Sequence, residues 1–273
     1  MQKSIQNAKD GERCFHLGEY AASVKHFRMA LTHLASEQQQ PIPTPTKLTK
    51  YDDDRFEMIV LNNLAVALLF DWAHRLDGGG GDQPLDQQVK LTRRRTIENL
   101  LLQSFEIAKQ QQQQPILVQN SHGNDGGDRG GVNTLKKYFT KPINHLAYMY
   151  YHLDADYDRA EKYFLTSISH CTLDCVAWLG LAQTYLSMGE FDDALKCCYR
   201  CKQIVMMEKQ RRTESIMRHE DADAVDESMI HVLLVCASIK LRMGWPAEAY
   251  SLLSSATSVS PRNVAARLAL AHF

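Results

Sequence analysis

The chain has 273 residues, 44% of them apolar and 23% charged, an ordinary globular composition that excludes a wholly disordered chain. Lysine and arginine total 31 against 32 aspartates and glutamates, which excludes a surface dominated by phosphate binding. The opening residues, MQKSIQNAKDGER, hold no apolar stretch of a secretory signal. The most apolar run, 58–73, is interrupted by Asn62, Asn63 and Asp71 and is too short to span a bilayer.

Five helix pairs are expected in chain order. The first covers about 3–35, where CFHLGEYAASVKHFRMAL places Gly18, Tyr20, Phe27 and Ala30. The second covers 55–110. Leu64, Ala65 and Leu68 supply its first helix, and Leu101, Phe105 and Ala108 its second. The third, 141–170, begins in NHLAYMYYHLDADYDRAEKYF, and the fourth, 175–212, contains WLGLAQTYLSMGEFDDALKCC. The fifth, 228–258, carries Gly244, Ala249 and Ala256 and ends at Pro261. RNVAARLALAHF then opens a partial sixth unit, 263–273, with no second helix. An uncovered apolar helix is a poor end for a repeat array, so the chain is expected to be a piece of a longer one.

Three inserts interrupt the pattern. Residues 36–52 are rich in Gln and Pro, 77–95 contain GGGG and then LTRRR, and 111–134 run from Gln into Gly and Asn. Such compositions bury no core and predict disordered loops. Residues 209–227 are charged and are expected to be a linker made of a lengthened helix followed by a loop.

The pairs repeat. Tyr157 and Phe191 are 34 residues apart, as are Ala160 and Ala194 and also Phe164 and Cys198. Trp178, Leu181, Ala182, Tyr185, Gly189, Phe191 and Ala194 fall on a W-x-x-L-A-x-x-Y…G…A pattern with the same period. These residues resemble the tetratricopeptide repeat (TPR) family. The resemblance implies an all-α, right-handed superhelical solenoid acting as one array over 1–273. Small residues at Ala147, Ala182 and Ala237 allow close helix approach, and Tyr150, Tyr185, Phe164 and Phe27 fill the space between pairs. Gly18, Gly189 and Gly244 suit helix ends, where glycine tolerates the left-handed cap. Asp192 and Asp193 then open the next helix.

No constellation points to chemistry. Seven cysteines without a secretory signal imply free thiols in a reducing compartment. The spacing of Cys171, Cys175, Cys197, Cys198 and Cys201 fits no zinc pattern, and buried thiols are the plainer reading. His145 and His152 lie seven apart with no nucleophile or acid beside them, which suits a groove or surface better than a catalytic base. GxGxxG, P-loop and GxSxG signatures are absent. No enzyme activity, no cofactor and no metal is therefore expected. The Arg93–Arg95 run reads as solvated surface, a nuclear-import patch or a contact for an acidic partner.

The resemblance further implies partner binding on the concave face formed by first helices. Its candidate residues are Asn62, Val66 and Leu69 in the second repeat, with Lys141, Asn144, Tyr148, Tyr151 and His152 in the third. Gln183 and Leu186 follow in the fourth. Tyr148 and Tyr151 suit gripping an extended peptide; packing against the next repeat is their other use. A chaperone-tail clamp needs a Lys and an Asn in repeat one, where Ala8 and Glu12 stand instead. Glu12 would repel a carboxylate, so that ligand is discounted.

The order of elements also resembles the TPR-rich scaffold subunit of the RNA polymerase II-associated factor (PAF) elongation complex. Gly11 to Leu31, LAVALL from Leu64, LLLQSFEI, then NHLA and DYDRAEKYFL carry this likeness over about 10–205. It implies a nuclear, non-catalytic scaffold whose partners are proteins or extended peptides, among them PAF-complex subunits and RNA polymerase II, with no nucleic acid or membrane bound directly. The alternatives are a cytoplasmic adaptor of a deadenylase or ciliary transport assembly, or the substrate-docking arm of a larger enzyme.

Overall fold

A computed structural model describes residues 2–38, 50–77, 87–113, 140–214 and 220–273. All regular structure among them is helical, in eleven helices. Two compact units divide the chain, Met1–Leu146 and Ala147–Phe273. Both are runs of packed helical hairpins, the repeat architecture of an all-α array.

The first unit holds α1 (Gln2–His16), α2 (Tyr20–Gln38), α3 (Lys50–Asp77), α4 (Gln87–Gln113) and the first half of α5 (140–154). α2 packs on α1 and α3, α4 packs on α3, and α1 reaches α3 directly. Phe27 and Ala30 of α2, with Val60, Leu64 and Ala67 of α3, form one buried cluster. α1 approaches α2 closely because Gly11 has no side chain: a Cβ there would stand 2.9 Å from the Phe27 ring. Ser23 strengthens the joint by donating to the Gly11 carbonyl at 2.8 Å.

The second unit holds the rest of α5 and then α6 (Tyr157–His170), α7 (Cys175–Met188), α8 (Phe191–Glu214), α9 (Glu220–Arg242), α10 (Pro246–Val259) and α11 (Val264–Ala271). First helices touch first helices here too, α7 with α9 and α9 with α11. Asp174 caps α7, accepting from the Val176 and Ala177 amides at 3.0 and 3.3 Å. Asp156 caps α6 and Asn263 caps α11 in the same manner.

Hairpin turns repeat one geometry. Gly18, Gly189 and Gly244 all have positive φ. The amide after each reaches a carbonyl five residues back: Glu19 to Cys14, Glu190 to Tyr185 and Trp245 to Lys240, all at 2.9 Å. This is the helix stop that glycine favours. The α5–α6 turn departs from it. Ala155 takes the left-handed position at φ 50°, and Asp156 reaches Tyr150, six residues back, at 3.1 Å. Residues Tyr150–Asp154 form a π turn. Its origin is in the spacing. Ala147 and Ala182 are 35 apart, as are Tyr150 and Tyr185, whereas Ala160 and Ala194 are 34 apart. One extra residue lies in α5, and a turn closed by i→i+5 bonds absorbs it.

Helix extends further into the inserts than composition implies. α4 begins at Gln87, so Arg93–Arg95 lie in a helix and not in a loop over 77–95. In segment 209–227, α8 is lengthened to Glu214 as expected, and α9 already begins at Glu220. Residues 39–49, 78–86, 114–139 and 215–219 lie outside the described residues. No described helix is long and apolar enough to cross a membrane.

Candidate interaction surface

In the first unit a cleft of about 470 Å³ opens between the first helices. α1 lines it with Glu12, Phe15 and His16, and α3 with Met58, Ile59, Asn62, Asn63 and Val66. Lys141 and Pro142 of α5 close it. Of the residues expected to bind, Asn62, Val66 and Lys141 thus converge on one space. Asn144 does not line it; its side chain is buried.

Glu12, Asn62 and Asn63 are held by hydrogen bonds there. Asn63 donates from Nδ2 to Glu12 Oε1 at 3.1 Å. Asn62 Oδ1 stands 2.8 Å from His145 Nδ1. An amide oxygen only accepts, so Nδ1 carries the proton. Burial, and after it the Lys141 charge, lowers the His145 pKa to about 4 and keeps the ring neutral. Glu12 therefore does more than repel a carboxylate: it occupies the Asn63 amide that a carboxylate would need. Sequence alone marks Glu12 only as a poor clamp residue and does not place Phe15 or His16 in the cleft. Their signal was the helical spacing of Glu12, Phe15 and His16 along α1.

The second unit gathers Tyr148, Tyr151 and His152 of α5. The Tyr148 and His152 rings stack at 5.9 Å, and Tyr151 meets His152 edge-on at 4.7 Å. Both tyrosines also hold the hairpin joint. Tyr148 packs edge-on against Phe164 and donates to the Val176 carbonyl at 3.4 Å, while the Tyr151 hydroxyl is 2.9 Å from Ser187 Oγ. Burial, first, and nearby acidic groups raise the Tyr148 phenol pKa. His152 is the exposed member, its pKa lowered by desolvation. Gln183 and Leu186 of α7, and Leu69 of α3 in the first unit, are half-buried. The π turn brings Tyr151 and His152 to the end of α5.

The cysteines correct one expectation. Cys175 at the start of α7 and Cys201 in α8 are joined as a disulfide, with Cα atoms 5.1 Å apart. The thiols of Cys14, Cys171, Cys197, Cys198 and Cys236 are free. Cys198 and Cys236 share a hydrogen bond between α8 and α9, which lowers Cys236 and raises Cys198.

This arrangement defines a helical-repeat protein with a polar-edged cleft on its first helices. Residues 176–204, covering α7 and the first half of α8, match the tetratricopeptide repeat family model. No curated protein matches the sequence. Among solved structures, the chain is similar to a thermophilic TPR protein of Thermus thermophilus. The two are 14% identical, the match covers 98% of this chain and 97% of that one, and the TM-score is 0.48. The MamA protein matches at 12% identity over 96% and 93% of the chains, TM-score 0.43. The TPR2AB domain of yeast Sti1, in complex with pHSP90, matches at 12% identity over 97% and 93%, TM-score 0.34.

Proposed function

We propose that this protein is a non-catalytic interaction scaffold that seats an extended segment of a partner protein in the cleft between α1, α3 and the start of α5. The observation that carries this reading is the convergence of Glu12, His16, Asn62 and Lys141 around an apolar floor of Phe15, Met58, Ile59 and Val66. An extended chain presents alternating amide donors and acceptors, with side chains every second residue. Carboxylate, amide, imidazole and ammonium groups suit the backbone, and the floor suits an apolar side chain. His152, with Tyr148 stacked on it and Tyr151 edge-on to it, is a further contact site in the second unit.

The narrower reading is a nuclear scaffold of RNA polymerase II elongation, with PAF-complex subunits and the polymerase as partners. Its support is the order NHLA then DYDRAEKYFL and the repeats before it. Affinity capture of the protein from its own cells, beside a Val66→Arg variant, tests both levels. Recovery of the polymerase and elongation factors by the wild type supports the narrow reading; deadenylase or ciliary components replace it. Val66→Arg fills the cleft with a charge and should lose the partner while keeping its helical circular dichroism. Retention of every partner by Val66→Arg overturns the cleft as the binding site.

A further inference from the structure

We infer that a second cleft, between α2 and α4, is a docking site for an acidic, amphipathic segment of a partner protein. It encloses about 500 Å³ and is lined by Lys25, Arg28 and Met29 of α2, Leu68 and Asp71 of α3, and Arg93, Thr96 and Ile97 of α4. The cleft is separate from the one between the first helices. α3 contributes Ile59 and Asn62 to one and Leu68 and Asp71 to the other. At about 100° per residue, Ile59 and Leu68 point to opposite sides of the helix.

Charge selects the occupant. Lys25, Arg28 and Arg93 face this space, and among the described residues Asp71 is the one carboxylate lining it. None of the three cations forms an ion pair with a described residue, whereas Arg94, next in the run, is held by Glu98 at 3.8 Å. The chain as a whole is balanced, 31 against 32, so this excess is a local segregation. The threonines add little polar recognition. The hydroxyls of Thr32, Thr92 and Thr96 each donate to the carbonyl four residues back in their own helix.

The floor decides the partner's other half. Val24 and Ile97 are buried beneath the cleft, while Met29 stays 37% exposed at its edge. Leucine or methionine side chains of a partner would find apolar contact there. Carboxylates beside them would find two guanidinium forks and one ammonium. Among the described residues no aromatic side chain lines the cleft, so none of them offers a stacking surface to a nucleobase.

Fluorescence anisotropy on the full chain tests the inference. The probe is a short labelled peptide alternating paired Glu and paired Leu, with a control carrying Lys for Glu. The acidic peptide should bind saturably and the basic one should not. Raising salt from about 50 mM to about 500 mM should weaken binding. Arg28→Glu with Arg93→Glu should weaken it by about tenfold or more, roughly the loss of one charge-assisted contact. Arg28→Gln with Arg93→Gln should give a smaller loss and guards against misfolding. Val66→Arg, in the other cleft, should leave this binding unchanged, which separates failure here from failure of the first cleft. The inference is overturned if the acidic peptide shows no saturable binding, if the basic peptide binds as well, or if the double Glu variant binds undiminished. Loss of binding in Val66→Arg also overturns it. So does tighter, Arg28- and Arg93-dependent binding of single-stranded nucleic acid or anionic vesicles.

Discussion

The ring of Phe164, on α6, fills the space that a side chain at residue 180 would take on α7. Phe164 is wholly buried, and Tyr148 closes its other side edge-on at 5.0 Å. Two effects oppose each other in Gly180→Ala. Alanine gains about 1 kcal/mol of helix propensity over glycine. Overpacking an enclosed site costs about 1–3 kcal/mol. Because the ring has nowhere to retreat, the clash should win. Gly180→Ala should lower stability by about 1 kcal/mol net, and Phe164→Ala by about 3–5 kcal/mol, in urea unfolding followed by circular dichroism. Gly180→Ala with Phe164→Leu should recover part of the loss. A Gly180→Ala protein more stable than wild type would show that α6 and α7 are not this close.

At the next turn the sign reverses. Ala155 holds a left-handed backbone that costs a residue with a Cβ roughly 1–2 kcal/mol, and the matching positions of three other hairpins carry glycine. Ala155→Gly should raise stability by about 0.5–1 kcal/mol, after the extra unfolded-state entropy of glycine is set against the relief. Gly189→Ala should lose about as much. A fall in the melting temperature of Ala155→Gly would sink the argument.

These positions show what the sequence made legible. Gly18, Gly189 and Gly244 were readable as stops because the left-handed cap favours one residue type. Ala155 was not, since alanine carries no such signal. The 34-residue period by itself did not mark the extra residue in α5; the bond from Asp156 to Tyr150 shows where it goes. Arg93–Arg95 read as loop because they follow GGGG; the glycines end at Gly81, and Gln and Arg are good helix formers. In the cleft, Asn62, Val66 and Lys141 came from the resemblance to tetratricopeptide repeats, which implies a face lined by first helices. For Tyr148 and Tyr151 spacing leaves peptide gripping and packing against the next repeat both open, because it does not reveal that their hydroxyls meet Val176 and Ser187. The link between Cys175 and Cys201 was invisible, since they are 26 residues apart on different helices.

His145 makes stability depend on pH with a definite sign. Its folded pKa is about 4, below the roughly 6.5 of an unfolded histidine. Above about pH 6.5 both states are neutral at this residue and it contributes no slope. As pH falls from about 6.5 to 4, the unfolded chain takes a proton that the folded one refuses. Stability then falls by at most about 1.4 kcal/mol per pH unit, on the order of 2–3 kcal/mol in all. His152, also lowered, acts in the same direction. The informative quantity is therefore the difference between wild type and His145→Gln. Urea midpoints at about pH 7 and about pH 5 should converge for His145→Gln more than for the wild type. Equal pH dependence in both would mean that His145 is not shielded from water.

The Cys175–Cys201 link ties the start of α7 to α8 across 26 residues. Closing a loop of that size in the unfolded chain is worth about 3 kcal/mol. The folded hairpin does not depend on the link alone. Cys201, Val205 and Val232 form a buried cluster there, with Trp178, Leu179 and Met229 packed against it. Reduction should therefore leave the helices in place and lower the unfolding free energy by about 3 kcal/mol. Cys175→Ser with Cys201→Ser should start at the lower value and ignore reductant. Cys198 supplies the internal control, because it sits on the same helix as Cys201 and its thiol closes no covalent loop. Cys198→Ser should change stability by an amount that reductant leaves the same. Equal stability of oxidised and reduced wild type, with both Cys175 and Cys201 alkylated under native conditions, would count against the link.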